Sequence, residues 1–283
     1  MAFFTIFIAT VAYVLGQSSG YGLSWAGAAL ILAGLIGFGS YYWSDKMVLA
    51  MSGARLADRK RDFDLYTVTE NIAIAAGIPK PKVYIIEDSA PNAFATGRDP
   101  KHAVVCITRG LATKLERSEL EGVIAHEMSH IHNFDTRLMA IVAVLVGMIA
   151  FLSDWFMRIV WWGGARRSDR EEKGNIGAIL IVLGIIFAVL SPLVATIIQL
   201  AISRRREFLA DASGVLLTRN PEGLASALEK MSKDREVLEA ATNATAHLYI
   251  INPFKGKNFS AWFAGLFDTH PPIQERIKIL RSM

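Results

Sequence analysis

At 283 residues, 52% of them apolar and with a positive mean hydropathy, the chain has the composition of a membrane protein rather than an ordinary soluble one. Its net charge of +4 is small, and the lysines and arginines gather beside apolar runs, which argues against a nucleic-acid partner. Cys106 is the single cysteine, which excludes an internal disulfide and any cysteine-rich zinc site, so a metal would need histidine and carboxylate ligands.

In chain order, residues 2–16 are apolar but short for a span, and no Lys or Arg precedes Lys46, so a signal peptide is disfavoured and a retained first span is expected. Residues 22–43 form a second, charge-free run that ends on Tyr41, Tyr42 and Trp43, an interfacial aromatic belt. Lys46, Arg55, Arg59, Lys60 and Arg61 then mark the cytoplasmic side. Residues 64–137 read as soluble. A helix is expected over 65–76, stopped by Gly77 and Pro79, then short strands over 82–87, 93–96 and 103–108, broken by Pro91, Gly97 and Pro100. A helix follows in which Ser118 and Glu121 make a capping-box pattern. Residues 138–162 are a third apolar run, in which Asp154 and Arg158 are spaced to pair. A charged loop follows at 163–175, then a fourth run over 176–203, interrupted only by Pro192 and stopped by Arg204, Arg205 and Arg206. Beyond it the chain turns soluble, with a helix over 221–233 capped by Asn220, an aromatic stretch at 259–267 and a basic amphipathic helix to Leu280.

The stretch that carries chemistry is His126-Glu127-Met128-Ser129-His130. On a helix, residues four apart face the same way, so both imidazoles can hold one metal and Glu127 can reach a water upon it. A catalytic zinc needs a third protein ligand. His132 faces away from the pair and reads as a surface residue. Glu207 and Asp211 are also four apart, just past the fourth apolar run. Glu207 suits the third ligand, with Asp211 as acceptor for a ligand histidine's free N–H, although a salt bridge to the neighbouring arginines would be an ordinary alternative. Side of the membrane favours the ligand. Two apolar runs separate His130 from Glu207, so both lie on one face, the face the basic clusters at 46–61 and 204–206 mark as cytoplasmic. Arg166, Arg167, Arg170 and Lys173 fall on the other face, against the positive-inside tendency, unless the two runs form a hairpin that does not cross.

His126-Glu127-x-x-His130, the RRREFLAD stretch at 204–211, NAFATG at 92–97 and THPPIQERI at 269–277, in this order, resemble the HtpX-type membrane metallopeptidases, gluzincins related to the CAAX prenyl proteases. The resemblance implies one zinc per chain on His126, His130 and Glu207, Glu127 as general base and Asp211 behind a ligand. It further implies a multi-pass protein of the cell membrane with its active site facing the cytoplasm. The implied substrates are damaged or misfolded membrane proteins, as in quality control under stress. Asn92, Ala93, Phe94 and Ala95 read either as an exposed sheet edge that binds substrate backbone or as an interior strand. His270 is a candidate oxyanion donor or simply the start of the last helix.

The expected fold is α+β and mostly helical, with about four transmembrane helices and a cytoplasmic zincin-like catalytic domain containing a small sheet. The expected parts are an N-terminal hairpin (1–43), a first catalytic part (44–137), a second pair of apolar helices (138–203) and a second catalytic part (204–283). The expected partners are protein substrates and the lipid bilayer. Three alternatives are a CAAX-type protease, an intramembrane protease and a non-enzymatic scaffold. Charged residues flank the motif (Glu116, Arg117, Glu119 and Glu121 before it, Asp135 and Arg137 after), which argues against an intramembrane site.

Overall fold

The computed structural model describes residue 13 and residues 22–141, 204–242, 244–253 and 271–283. The expected fourth run, nearly all of the first and third, the loop at 163–175, the stretch at 259–267 and His270 lie outside the described residues. The chain divides into two compact units, Met1–Trp43 with Ile149–Ser191, and Ser44–Met148 with Pro192–Met283.

The expected second span lies in helix α1 (Gly22–Met51), which runs on well past Trp43. Its side chains Leu30, Ile31, Leu32, Leu35 and Phe38 are exposed. Several others in 22–40 lie outside the description, and among the described residues no helix is long and apolar enough to cross a membrane.

The larger unit is built on a sheet of β1 (Arg55–Leu56), β2 (Lys82–Ile86), β3 (Ala93–Thr96) and β4 (Val104–Thr108), in the order β1-β2-β4-β3. β2 runs parallel to β4, and β3 antiparallel to it, pairing Ala93 with Ile107 and Ala95 with Val105. The expected strands are therefore present, and β3 is an edge. β4 is buried at every position because both faces of the sheet are covered, which is why it reads as an unbroken apolar run. Val105 and Ile107 join Ile85, Val123, Ile124, Met128 and Leu228 in one core cluster. Val104 and Cys106 join Phe94, Tyr249 and Val48 in another. There the Phe94 and Tyr249 rings meet edge-on at 5.2 Å, a contact worth about 0.5–1.5 kcal/mol beyond the area it buries.

Helix α2 (Phe63–Ala76) ends as expected on Gly77, whose positive φ of 66° lets Ile78 N–H reach back to Ala73 C=O at 3.1 Å. After β3, Gly97 takes a φ of 127°, and a Cβ there would stand 2.4 Å from His102 C=O. Only glycine fits, which accounts for the last letter of NAFATG. A short helix α3 (Arg109–Lys114) follows β4.

Helix α4 (Arg117–His132) carries the motif and begins one residue before the expected cap. The pair that closes its first turn is Glu116 and Glu119, with Glu116 N–H donating to the Glu119 carboxylate at 2.8 Å, in place of Ser118 and Glu121. Glu119 was chosen by packing. It also accepts from Ser226 Oγ at 2.6 Å and Lys230 Nζ at 2.8 Å, which ties α4 to a neighbouring helix. Apart from Glu121, every residue from Glu119 to Ile131 is buried. The neighbours that bury it are α5 (Arg204–Thr218) and α6 (Pro221–Lys233). α6 starts as expected, with Asn220 Oδ1 accepting from Gly223 N–H at 3.2 Å. On α5, Gly214 lies on the face of Glu207 and Asp211, and a Cβ on it would come within 3.1 Å of His126 N. Its lack of a side chain brings that face of α5 onto the motif. Past α4, Phe134 adopts a left-handed φ of 60°, a conformation that costs a non-glycine residue about 1–2 kcal/mol. The chain closes with α7 (Ile273–Leu280).

Candidate metal centre

The helical register of α4 puts His126 and His130 one turn apart, and both are buried. Their Nε2 atoms lie 3.2 Å from each other. From α5, Glu207 places Oε1 at 3.5 Å from His130 Nε2 and Oε2 at 3.7 Å from His126 Nε2. The sequence separates Glu207 widely from the motif, and the packing of α5 against α4 brings the three together.

Both rings are held from behind. His126 Nδ1 stands 2.9 Å from Asp211 Oδ1, and His130 Nδ1 stands 3.0 Å from Asp135 Oδ2. A carboxylate can only accept there, so each imidazole carries its proton on Nδ1 and turns an Nε2 lone pair toward Glu207. Two lone pairs and a carboxylate thus converge in a buried space. Two nitrogens on one tetrahedral zinc, each about 2.0–2.1 Å from it, stand about 3.3 Å apart. The donor set and its spacing fit that ion.

Two arginines complete the arrangement. Arg276 of α7, fully buried, forks onto Asp211 with Nε at 2.8 Å and Nη2 at 2.7 Å, and its Nη1 donates to Ile250 C=O at 3.2 Å and lies 3.5 Å from Glu207. Arg206 bonds Asp135. Burial pulls the His126 pKa down to about 4, which keeps the ring neutral and able to ligate at pH 7. For Asp211, burial pushes upward, but Arg276 and the hydrogen bond from His126 outweigh it and hold the carboxyl at about 2, so it is charged. Glu127, beside the pair, is pushed up to about 7 by burial, with His130 and a hydrogen bond from Ala95 N–H pulling the other way. An enclosed space of about 10 Å³, enough for one water or ion, is lined by His126, Glu127, His130 and Glu207 together with Ala95, Met139, Leu248 and Ile250.

The other expected positions divide. His132 is exposed, as expected of a surface residue. Of the 92–95 stretch, only Ala95 lines the space. Ala93 C=O already accepts from Ile250 N–H at 3.0 Å, and Asn92 Nδ2 donates to Ile251 C=O at 3.0 Å, so this end of the edge strand is covered by the chain itself. Phe94 points into the cluster with Tyr249 and Cys106. Asp135, Arg206 and Arg276 went unassigned in the sequence. In the sequence Asp135 is only a charged flank of the motif, Arg206 one of three basic residues that stop an apolar run, and Arg276 sits inside the THPPIQERI motif without a periodicity to single it out.

A buried histidine pair one turn apart, with a glutamate between them and a carboxylate from a second helix, defines a metal-dependent hydrolase. The chain belongs to peptidase family M48, which it matches over residues 59–283. It is 49% identical over 244 residues to a protein named Protease HtpX homolog from Caldanaerobacter subterraneus subsp. tengcongensis, covering 86% of this chain and 80% of that one. A protein of the same name from Thermoanaerobacter pseudethanolicus is 46% identical over 280 residues, covering 99% and 92%. A crystal structure of Ste24p from S. mikatae is similar over 99% of this chain and 63% of that one, with a TM-score of 0.54 and 16% identity, a likeness of fold. The protein is a metalloprotease.

Proposed function

We propose that this chain is a membrane-anchored zinc endopeptidase that cleaves damaged or misfolded membrane proteins on the cytoplasmic face. The observation that carries the zinc reading is the convergence of His126, His130 and Glu207 on one buried point, with Glu127 beside it. Zinc held there would polarise the scissile carbonyl and lower the pKa of a bound water to about 7. His126 and His130 contribute neutral Nε2 lone pairs, fixed in direction by Asp211 and Asp135. The Glu127 carboxylate would accept the proton of the attacking water and return it to the departing amine nitrogen. A substrate segment approaching β3 would have to do so at Ala95, the Asn92–Ala93 end being taken by residues 250–251 and Gly97 C=O by Thr136.

Dialysis of the purified protein against a strong chelator should remove one zinc per chain and abolish cleavage of an unfolded substrate such as casein, and added zinc should restore both. Full cleavage by protein stripped of metal would overturn the zinc reading.

Membrane anchoring is supported by the charge-free run at 22–43, by large apolar side chains exposed along α1, Ile31 at 69%, and by the apolar runs at 138–162 and 176–203. Single cysteines in place of Arg61 and Lys233, in a Cys106→Ala background, should both label from the cytoplasmic side of intact vesicles. Labelling from opposite sides would refute the topology.

A further inference from the structure

We propose that Asp135, clamped by Arg206, is the positioning residue of His130 and so sets how tightly the centre holds its metal. The inference rests on the zinc reading above. Asp135 follows α4 by three residues, and an ordinary helical exit would carry it away from the site. The left-handed turn at Phe134 reverses that course. The Phe134 side chain gains little burial from the turn: the residue is 47% exposed, and its ring meets the Arg137 guanidinium at 5.8 Å on the surface. What the turn achieves is placement: Asp135, 3% exposed, lies with Oδ2 at 3.0 Å from His130 Nδ1, and its other oxygen meets Arg206.

Two further contacts make the placement specific. Arg206 immediately precedes Glu207, so the ion pair ties the first turn of α5, which carries one ligand, to the end of α4, which carries another. Thr136 Oγ1 donates to Gly97 C=O at 3.0 Å, which fixes the turn to the end of β3. The same pair also joins the two points between which the chain runs through 142–203. Asp135–Arg206 thus does for His130 what Asp211–Arg276 does for His126. The two pairs differ in exposure, because the Arg206 side chain is 45% exposed and that of Arg276 only 1%. The Asp135 side is the one open to solvent and to salt.

Asp135 does not touch the reacting atoms, so its loss should act on the metal and on kcat more than on KM. In the full-length protein, Asp135→Asn keeps the shape and one acceptor but loses the charge and the clamp, and should weaken zinc binding about 10–100-fold by chelator competition. It should also shift the absorption of the cobalt-substituted protein. Arg206→Gln should weaken zinc less, Arg206→Lys should restore most of it, and His132→Ala, an exposed neighbour, should match wild type. Thermal unfolding of the metal-free proteins is measured alongside. A merely structural ion pair predicts a lower Tm with unchanged zinc affinity and cobalt spectrum, and that result overturns the inference. Should Asp135→Asn fail to fold, the Arg206 pair of variants decides alone, because that side chain is half exposed. Wild-type protein that binds no zinc would sink the metal reading itself, which separates the two failures.

Discussion

Glu127→Gln should retain zinc and lose cleavage by about 10²–10⁴-fold, because both imidazoles and Glu207 are untouched while the group that accepts the water's proton is gone. Near-normal casein cleavage by the zinc-loaded variant would refute the assignment. Burial adds a second reading of the same variant. In the metal-free protein Glu127 is raised from 4.5 to about 7, so the folded state binds its proton more tightly than the unfolded state does. The sign follows from linkage: the stability due to this group is fully present below about pH 4.5 and is lost as pH rises through about 7. The neutral amide has no such dependence. Metal-free Glu127→Gln should therefore gain stability relative to metal-free wild type between pH 5 and 8, measured by urea unfolding at both ends. Parallel pH profiles for the two proteins would show that Glu127 is not held in a desolvated place.

Glu207→Ala should lose zinc on dialysis, leaving a two-histidine site, and cleavage should fall to background. Asp211→Asn should keep the ligands and reduce zinc affinity about 10–100-fold, since it weakens the acceptor behind His126. For zinc retention and cleavage Asp211→Asn is thus the gentler change, but for stability the structure orders the two differently. Asp211 is paired by both arms of Arg276, and both partners are buried. Breaking such a pair leaves a buried charge without its partner and typically costs about 3–5 kcal/mol. The expected pattern is a crossing of two scales: Glu207→Ala is worse for zinc, while Asp211→Asn lowers the Tm of the metal-free protein more. Stoichiometric zinc in Glu207→Ala would return Glu207 to the salt-bridge reading.

What was legible in the sequence was whatever the chain repeats locally. The i,i+4 spacing of His126 and His130 fixed their common face, because helical geometry alone sets it. The strands at 82–87, 93–96 and 103–108 announced themselves by apolar runs between Pro91, Gly97 and Pro100. Asn220 with Pro221 announced α6, and Gly77 announced the end of α2, through backbone rules that act within a few residues. Even the error at the start of α4 has a local cause. Two overlapping patterns, Ser118 with Glu121 and Glu116 with Glu119, compete for one helix terminus. Packing chose between them, because Glu119 also reaches Ser226 and Lys230.

By itself, then, the sequence determined the common face of His126 and His130, the place of Glu127 beside them, the pairing of Glu207 with Asp211 one turn apart and the order of the elements. Only the tertiary structure decided how the two helices meet and what holds them together. Glu207 reaches the histidines because Gly214 lets α5 close onto α4. Asp135 folds back because Phe134 accepts a left-handed backbone, and Arg276 arrives from the far end of the chain to neutralise Asp211. No residue pattern encodes the contacts of Asp135 and Arg276, because a desolvated charge finds its partner across whatever surface the folded helices bring near, and sequence distance does not enter the Coulomb energy.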